Sequence, residues 1–275
     1  MTGATTGRMP ASLVLAGAGK MGGAMLAGWL DAGLDPRATS VVDPVPSREI
    51  AELCGARGVA LNPSDPVPGA VLVLAIKPQG LEAAAGILDP LIGRDTLLVS
   101  ILAGKTVADL RSRLPRAHAV VRAMPNLPAS IGRGATGAYA SPDVGAGQRE
   151  AADTLLRAVG AVAWLDAEVD IDAVTAVSGS GPAYVFLLAE ALAEAGVAAG
   201  LDARTAGTLA RATVAGAGAL LDASAAEAAE LRANVTSPGG TTAAALDVLM
   251  REDGLAPLMR EAVAAAKRRA AELSG

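Results

Sequence analysis

The chain has 275 residues, a net charge of −5, one Cys and one His. The acidic balance excludes a basic nucleic-acid surface, and only two Trp, two Tyr and one Phe exclude a stacking platform for single strands. Cys54 and His118 stand alone, which excludes an intramolecular disulfide, a cysteine metal cluster and any site needing two histidines, so no metal site is expected and a reducing cytoplasm is.

Residues 1–10 read as a loose leader. Arg8 followed by ASLVLAGAG imitates a signal peptide, but Gly17, Gly19, Lys20, Gly22, Gly23 and Asp31 interrupt the apolar stretch. No other run reads as a membrane span, and no membrane partner is expected. Strands are predicted at 13–16, 40–42, 71–76, 97–101 and 119–122. Helices are predicted between them at 21–32, 47–54, 80–88 and 107–114. The run VLVLAI at 71–76 is continuously apolar, as in a strand buried on both faces. This alternation predicts an α/β fold with a doubly wound, parallel sheet.

The texture changes near residue 166. Ala/Leu/Glu stretches punctuated by Gly replace the Val/Ile runs, with helices predicted at 168–178, 182–195, 202–222, 225–233, 241–251 and 255–273. The chain therefore divides into a dinucleotide-binding domain, 1–166, and an all-helical domain, 167–275, for substrate binding and dimerisation. The segment AYVFLLAEALAEAG at 183–196 is apolar around most of its circumference, which predicts burial in a dimer interface.

Residues 17–22 read Gly17-Ala18-Gly19-Lys20-Met21-Gly22, a G-x-G-x-x-G between a predicted strand and helix. In such a Rossmann-like turn the first Gly makes the tight turn, the second lets backbone approach a diphosphate, and the third lets helix and strand sit close. The diphosphate then lies at the positive helix N-terminus. Asp43 ends the next strand, 21 residues after Gly22. An acid there bonds a ribose 2′-hydroxyl and disfavours a 2′-phosphate; the same residue also suits a turn before Pro44. Arg48 is positioned in sequence to answer a 2′-phosphate instead, so NADPH and NADH both stay open. Ala75, Lys77 and Pro78 close the 71–76 strand at the end that faces a ligand crevice.

Ser237-Pro238-Gly239-Gly240-Thr241-Thr242 opens a helix. Free N–H groups, two glycines and hydroxyls from Ser237, Thr241 and Thr242 suit a carboxylate, although a plain helix cap uses the same residues. Ser178-Gly179-Ser180-Gly181-Pro182 is a second helix opening, where the glycines serve either a ligand or close packing. His118 and Cys54 read as structural.

The stretches LAGAGKMGGAML (15–26), LAIKPQ (74–79), VRAMPNLP (121–128), GATG (134–137), AVSGSGPAYVF (176–186) and ANVTSPGGTTAAAL (233–246) resemble pyrroline-5-carboxylate reductases, in order over nearly the whole chain. The last two are the most specific. The resemblance implies reduction of 1-pyrroline-5-carboxylate to L-proline by hydride transfer from NADPH or NADH. It implies that the positions of Ser237 and Thr242 bind the substrate carboxylate; with Gly239, Gly240 and Thr241 of the same turn they form the expected substrate site, and Thr242 is the candidate to bond the ring nitrogen and relay a proton. It adds Asn62 as a cofactor contact and Asn126 beside the nicotinamide. It also implies a homodimer, commonly assembled as five dimers. Asp43-Pro44 departs from the small polar or basic residues that many members use to hold NADPH. Two other readings are a β-hydroxyacid dehydrogenase and a non-catalytic dinucleotide sensor. The first lacks its catalytic Lys, since none occurs between 106 and 266; the second has no use for a carboxylate turn.

Overall fold

The computed structural model describes residues 7–274. The leader expected at 1–10 thus falls partly outside the described residues, and 7–10 carry neither helix nor strand. The elements run β1 (Leu13–Ala16), α1 (Lys20–Asp31), β2 (Thr39–Val42), α2 (Arg48–Arg57), β3 (Ala60–Leu61), β4 (Val71–Leu74), α3 (Leu81–Leu88), β5 (Leu97–Ser100), α4 (Val107–Arg113), β6 (Ala119–Met124), β7 (Gly134–Ala140), α5 (Ala146–Arg157), β8 (Gly160–Leu165), α6 (Asp170–Val174), α7 (Gly181–Ala198), α8 (Ala203–Ala223), α9 (Ala228–Asn234), α10 (Thr241–Leu249) and α11 (Leu255–Ser274).

By internal contacts the described chain forms two compact units. The first comprises residues 7–179 with 267–274, and the second residues 180–266. This boundary and the change of sequence texture near 166 do not coincide. Helix α6 packs on β7, where a Cβ at Gly137 would lie 2.5 Å from a Val174 methyl.

The first unit is built on one eight-stranded sheet in the order β3-β2-β1-β4-β5-β6-β7-β8. Successive side chains on a strand face opposite ways, and the core follows that rule. Leu13, Leu15, Val71, Val73, Leu97 and Val99 join one apolar layer. Val14, Ala16, Leu72, Leu74 and Leu98 join the layer on the other face. Both layers need covering, so the strands read as unbroken apolar runs. In a chain poor in rings, Trp29 is the one large aromatic in the core; its Nε1 donates to the Leu155 carbonyl at 2.8 Å and ties α1 to α5.

The sheet and one helix differ from the sequence expectation. The sheet has eight strands rather than five, because β3, β7 and β8 were not predicted. Strand β7 also runs antiparallel to β6, so the sheet is parallel-dominated rather than wholly parallel. A short connection suffices for an antiparallel return, whereas a parallel one needs a crossover. Helix α2 extends beyond Cys54 to Arg57 and stops at Gly58.

Reversal of strand order places β1 beside both β2 and β4. The crevice at the carboxyl ends of β1 and β4 is the switch point where open α/β sheets bind ligands.

The second unit is helical. Its α7 and α8 pack through small residues, with a Cβ at Gly196 falling 3.1 Å from the Ala206 Cβ. No residue of α7 is buried, and Phe186, Leu187 and Leu188 are more than half exposed. Among the described residues, the run Asp170–Ala198 is the one helical stretch long and apolar enough to cross a membrane by length and composition.

Candidate cofactor and substrate sites

The three glycines of the first turn differ in what surrounds them. Gly17 follows β1 with φ +86°, and its N–H donates to the Val42 carbonyl at 2.9 Å. A Cβ there would lie 2.8 Å from the Ala75 and Ile76 backbone, so the turn is tight against the end of β4. Gly22 is packed from behind: a Cβ would meet the Gly17 carbonyl oxygen at 2.3 Å and the Ala75 Cβ at 2.9 Å. Gly19 faces open space, with nothing within 4 Å of its Cβ position. Gly19 is also the N-cap of α1 and makes no side-chain cap bond. The first helical N–H groups, from Lys20 onward, therefore point outward beside a gap with no side chain in it. That arrangement fits the diphosphate of a dinucleotide. Lys20 is exposed and Met21 half-buried.

Ala18 is buried, and its N–H donates to Asp43 Oδ2 at 2.7 Å. This amide, expected among the diphosphate contacts, is therefore already taken. Asp43 Oδ1 accepts the Val45 N–H at 2.9 Å, which closes the turn after β2. Asn62 grips the same residue from the far side. Its Oδ1 accepts the Asp43 N–H at 2.9 Å, and its Nδ2 donates to the Asp43 carbonyl at 2.7 Å. Asn62 sits at φ +48°, a conformation that Asn tolerates better than most residues. Arg48, read as a possible phosphate partner, pairs with Glu52 at 2.7 Å, both side chains being exposed.

Ala75 follows β4, and its N–H donates to the Ala16 carbonyl at 2.8 Å. Lys77 is exposed and caps a short turn, Pro78–Gly80. Asn126 is 8% exposed and both its amide atoms already serve backbone. Its Nδ2 donates to the Ser178 carbonyl and its Oδ1 accepts the Ala135 N–H, each at 2.9 Å. Asn126 thus fastens the loop after β6 to residues 175–179, a π-helical turn. The glycines of that second helix opening separate here. A Cβ at Gly179 would meet the Met124 methyl at 3.1 Å, whereas Gly181 has nothing within 4 Å.

In the helical unit, α10 starts at Thr241 with Gly240 as N-cap and no side-chain cap. The first intrahelical bond runs from the Ala244 N–H to the Gly240 carbonyl at 3.2 Å, leaving the N–H groups of Thr241, Thr242 and Ala243 directed outward. Gly239 has φ +70°, the left-handed conformation that turns the chain into the helix. A Cβ at Gly240 would fall 2.6 Å from Ser237 Oγ, so the hydroxyl lies over the helix start. Ser237, Gly239 and Thr241 are exposed, while Gly240 and Thr242 are half-buried.

His118 is exposed, and its carbonyl accepts from Arg111. Cys54 is buried and free, and burial pushes its thiol pKa up, as expected of a packing residue. Among the described residues, no cluster of His, Cys, Asp and Glu suits a metal ion.

Residues 168–273 match the family model for pyrroline-5-carboxylate reductase dimerisation. Residues 12–104 match a model described as NADP oxidoreductase, coenzyme F420-dependent. A pyrroline-5-carboxylate reductase of Pseudomonas aeruginosa is 42% identical over 261 residues, covering 94% of this chain and 95% of that protein. The chain belongs to the pyrroline-5-carboxylate reductase family. The corresponding protein of Mycobacterium leprae is 40% identical over 286 residues, covering 96% of this chain and 97% of its own. The solved pyrroline-5-carboxylate reductase of Coxiella burnetii superposes with a TM-score of 0.89 at 35% identity, covering 98% of this chain and 100% of that one. The residues that match the dimerisation model include α7, none of whose residues is buried within the single chain.

Proposed function

We propose that this protein reduces 1-pyrroline-5-carboxylate to L-proline with NADPH or NADH, the last step of proline synthesis. The observation that carries the reading is near-full-length similarity to a named reductase, with 94% of the chain aligned at 42% identity. Reduced nicotinamide, when bound, supplies a hydride to the imine carbon C5. The remaining work falls to the chain's own residues.

The uncapped start of α1, beside the gap at Gly19, receives the diphosphate. Lys20, Met21, Ala75, Lys77 and Pro78 border that cleft, and Asn126 holds the loop beside the nicotinamide. The uncapped start of α10 receives the substrate carboxylate, with Ser237, Gly239, Gly240 and Thr241 around it. The imine nitrogen accepts hydride at the neighbouring carbon far better when protonated, and it takes that proton from water. The C=N π pair then remains on nitrogen as C5 gains hydrogen. Thr242 Oγ1 bonds this nitrogen, holding it in register and relaying a proton. Catalysis is then mainly proximity between two oriented partners.

Thr242→Ala is expected to lower kcat/KM by about 1–3 kcal/mol of transition-state stabilisation, with the fold intact. NAD(P)H oxidation on adding 1-pyrroline-5-carboxylate measures it. Unchanged kinetics would remove the role assigned to Thr242, and no turnover with either nucleotide would remove the reductase reading.

The working form is a cytoplasmic homodimer, with five dimers as the larger assembly. The support is a dimerisation-family segment whose α7 leaves Leu187 64% exposed. Leu187→Asp should shift the protein to a monomer in light scattering after gel filtration, because a charge would then be desolvated in the interface. An unchanged mass would place the contact elsewhere.

A further inference from the structure

Nothing above separates NADH from NADPH. The end of β2 carries observations that do. Asp43 is fixed at four points. Its carboxylate accepts the Ala18 and Val45 N–H groups at 2.7 and 2.9 Å. Its backbone N–H and carbonyl are clamped by the Asn62 amide at 2.9 and 2.7 Å. A carboxylate so held cannot swing aside for an incoming group without breaking the turn that shapes the glycine loop.

The charge balance around it is also one-sided. Residues 43–52 contain Asp43, Glu49 and Glu52 against a single cation, Arg48. That cation is spent on Glu52 at 2.7 Å. The segment therefore presents net negative charge where a Rossmann-type sheet meets the adenosine ribose.

We infer that Asp43, locked in place by Asn62 and the glycine loop, selects NADH over NADPH. The inference rests on the reductase reading above. An ionised carboxylate is acceptor-only but has about four acceptor directions, so two protein N–H bonds leave capacity for ribose hydroxyls. A ribose 2′-hydroxyl can donate to it. A 2′-phosphate offers mostly acceptor oxygens and close to two negative charges at neutral pH, so it meets like charge without a hydrogen bond. Asp43 is the specificity residue. Asn62 is a positioning residue, because its side chain bonds only Asp43 backbone in this structure.

The test is direct binding, without substrate, of NADH and NADPH to the full-length protein, followed by cofactor fluorescence. The native protein should bind NADH at least about tenfold more tightly than NADPH, the scale of a like-charge penalty in a half-buried site. Asp43→Asn keeps the shape and removes the charge, so the preference should fall at least about tenfold. Asn62→Ala should lower the preference by less, because the charge stays but loses its anchor. A purely structural Asn62 would weaken both nucleotides equally, and that result would overturn its positioning role. Native binding of NADPH as tight as NADH, or an unchanged preference in Asp43→Asn, overturns the inference while leaving the reductase standing. Binding of neither nucleotide overturns both.

Discussion

Gly22→Val should lose nearly all nucleotide binding, and kcat/KM should fall by at least about 100-fold. The space behind Gly22 is closed by atoms that cannot rotate away, with the Gly17 carbonyl oxygen 2.3 Å and the Ala75 Cβ 2.9 Å from where a Cβ would stand. Neither neighbour is the flexible end of a side chain, so α1 itself must move away from β1 and β4. The N–H groups proposed to hold the diphosphate ride on that helix. A displacement near 1 Å in a positioned reactant costs on the order of 100-fold even when the chemical groups survive. Titration with NADH fluorescence measures the loss directly. Gly55→Ala is the matched control, since Gly55 lies in α2 with open space at its Cβ position, and it should bind normally. Normal binding by Gly22→Val would mean that the start of α1 is not the diphosphate site.

The largest stability effect is expected at Glu168→Ala. Arg122 lies on β6 with its side chain 6% exposed, and its Nη1 meets Glu168 Oε1 at 2.8 Å. The same Glu168 oxygen accepts the Val107 N–H at 2.7 Å, at the first turn of α4. Removing the acid strands a buried guanidinium and uncaps that N–H together. A broken buried pair costs about 3–5 kcal/mol, and Glu168 is 28% exposed, so the lower end applies. The melting temperature should fall by about 10 °C. Replacing both partners with apolar residues, Arg122→Met with Glu168→Leu, should cost less than Glu168→Ala alone, because no charge is left behind. A loss under 1 kcal/mol for Glu168→Ala would show that water reaches Arg122.

The parts of the fold legible in the sequence were those whose burial is encoded by large apolar side chains. β4 and β5 are covered on both faces and read as VLVL and LLVS. β7 reads GATGAYA, and its burial comes from neighbours approaching small residues rather than from its own bulk. β8 alternates between half-buried and exposed over residues 160–164 of GAVAWL, with Ala at both exposed positions, where hydropathy contrast is weak. The glycine turn at 17–22 was legible because each Gly has a local mechanical reason. The Asp43 bond to Ala18 spans 25 residues, and the Asn62 clamp on Asp43 spans 19. Such links depend on which strands become neighbours, so a residue such as Asn62 could be named from resemblance while its bonding partner could not. Glu168 carried no motif, and Arg122 sits in the 121–128 stretch without any sign there of its partner; only the sheet brings the two together.

The scarcity of rings has an optical consequence. Both indoles, Trp29 and Trp164, belong to the unit built on the sheet, one buried and the other with the Arg149 guanidinium 4.2 Å from its ring centre. The helical unit, 180–266, holds only Tyr184 and Phe186 among aromatics. Tryptophan emission therefore watches the sheet-built unit alone, while helical circular dichroism sums over both units. The melting of the sheet-built unit can be followed by its emission in one unlabelled chain.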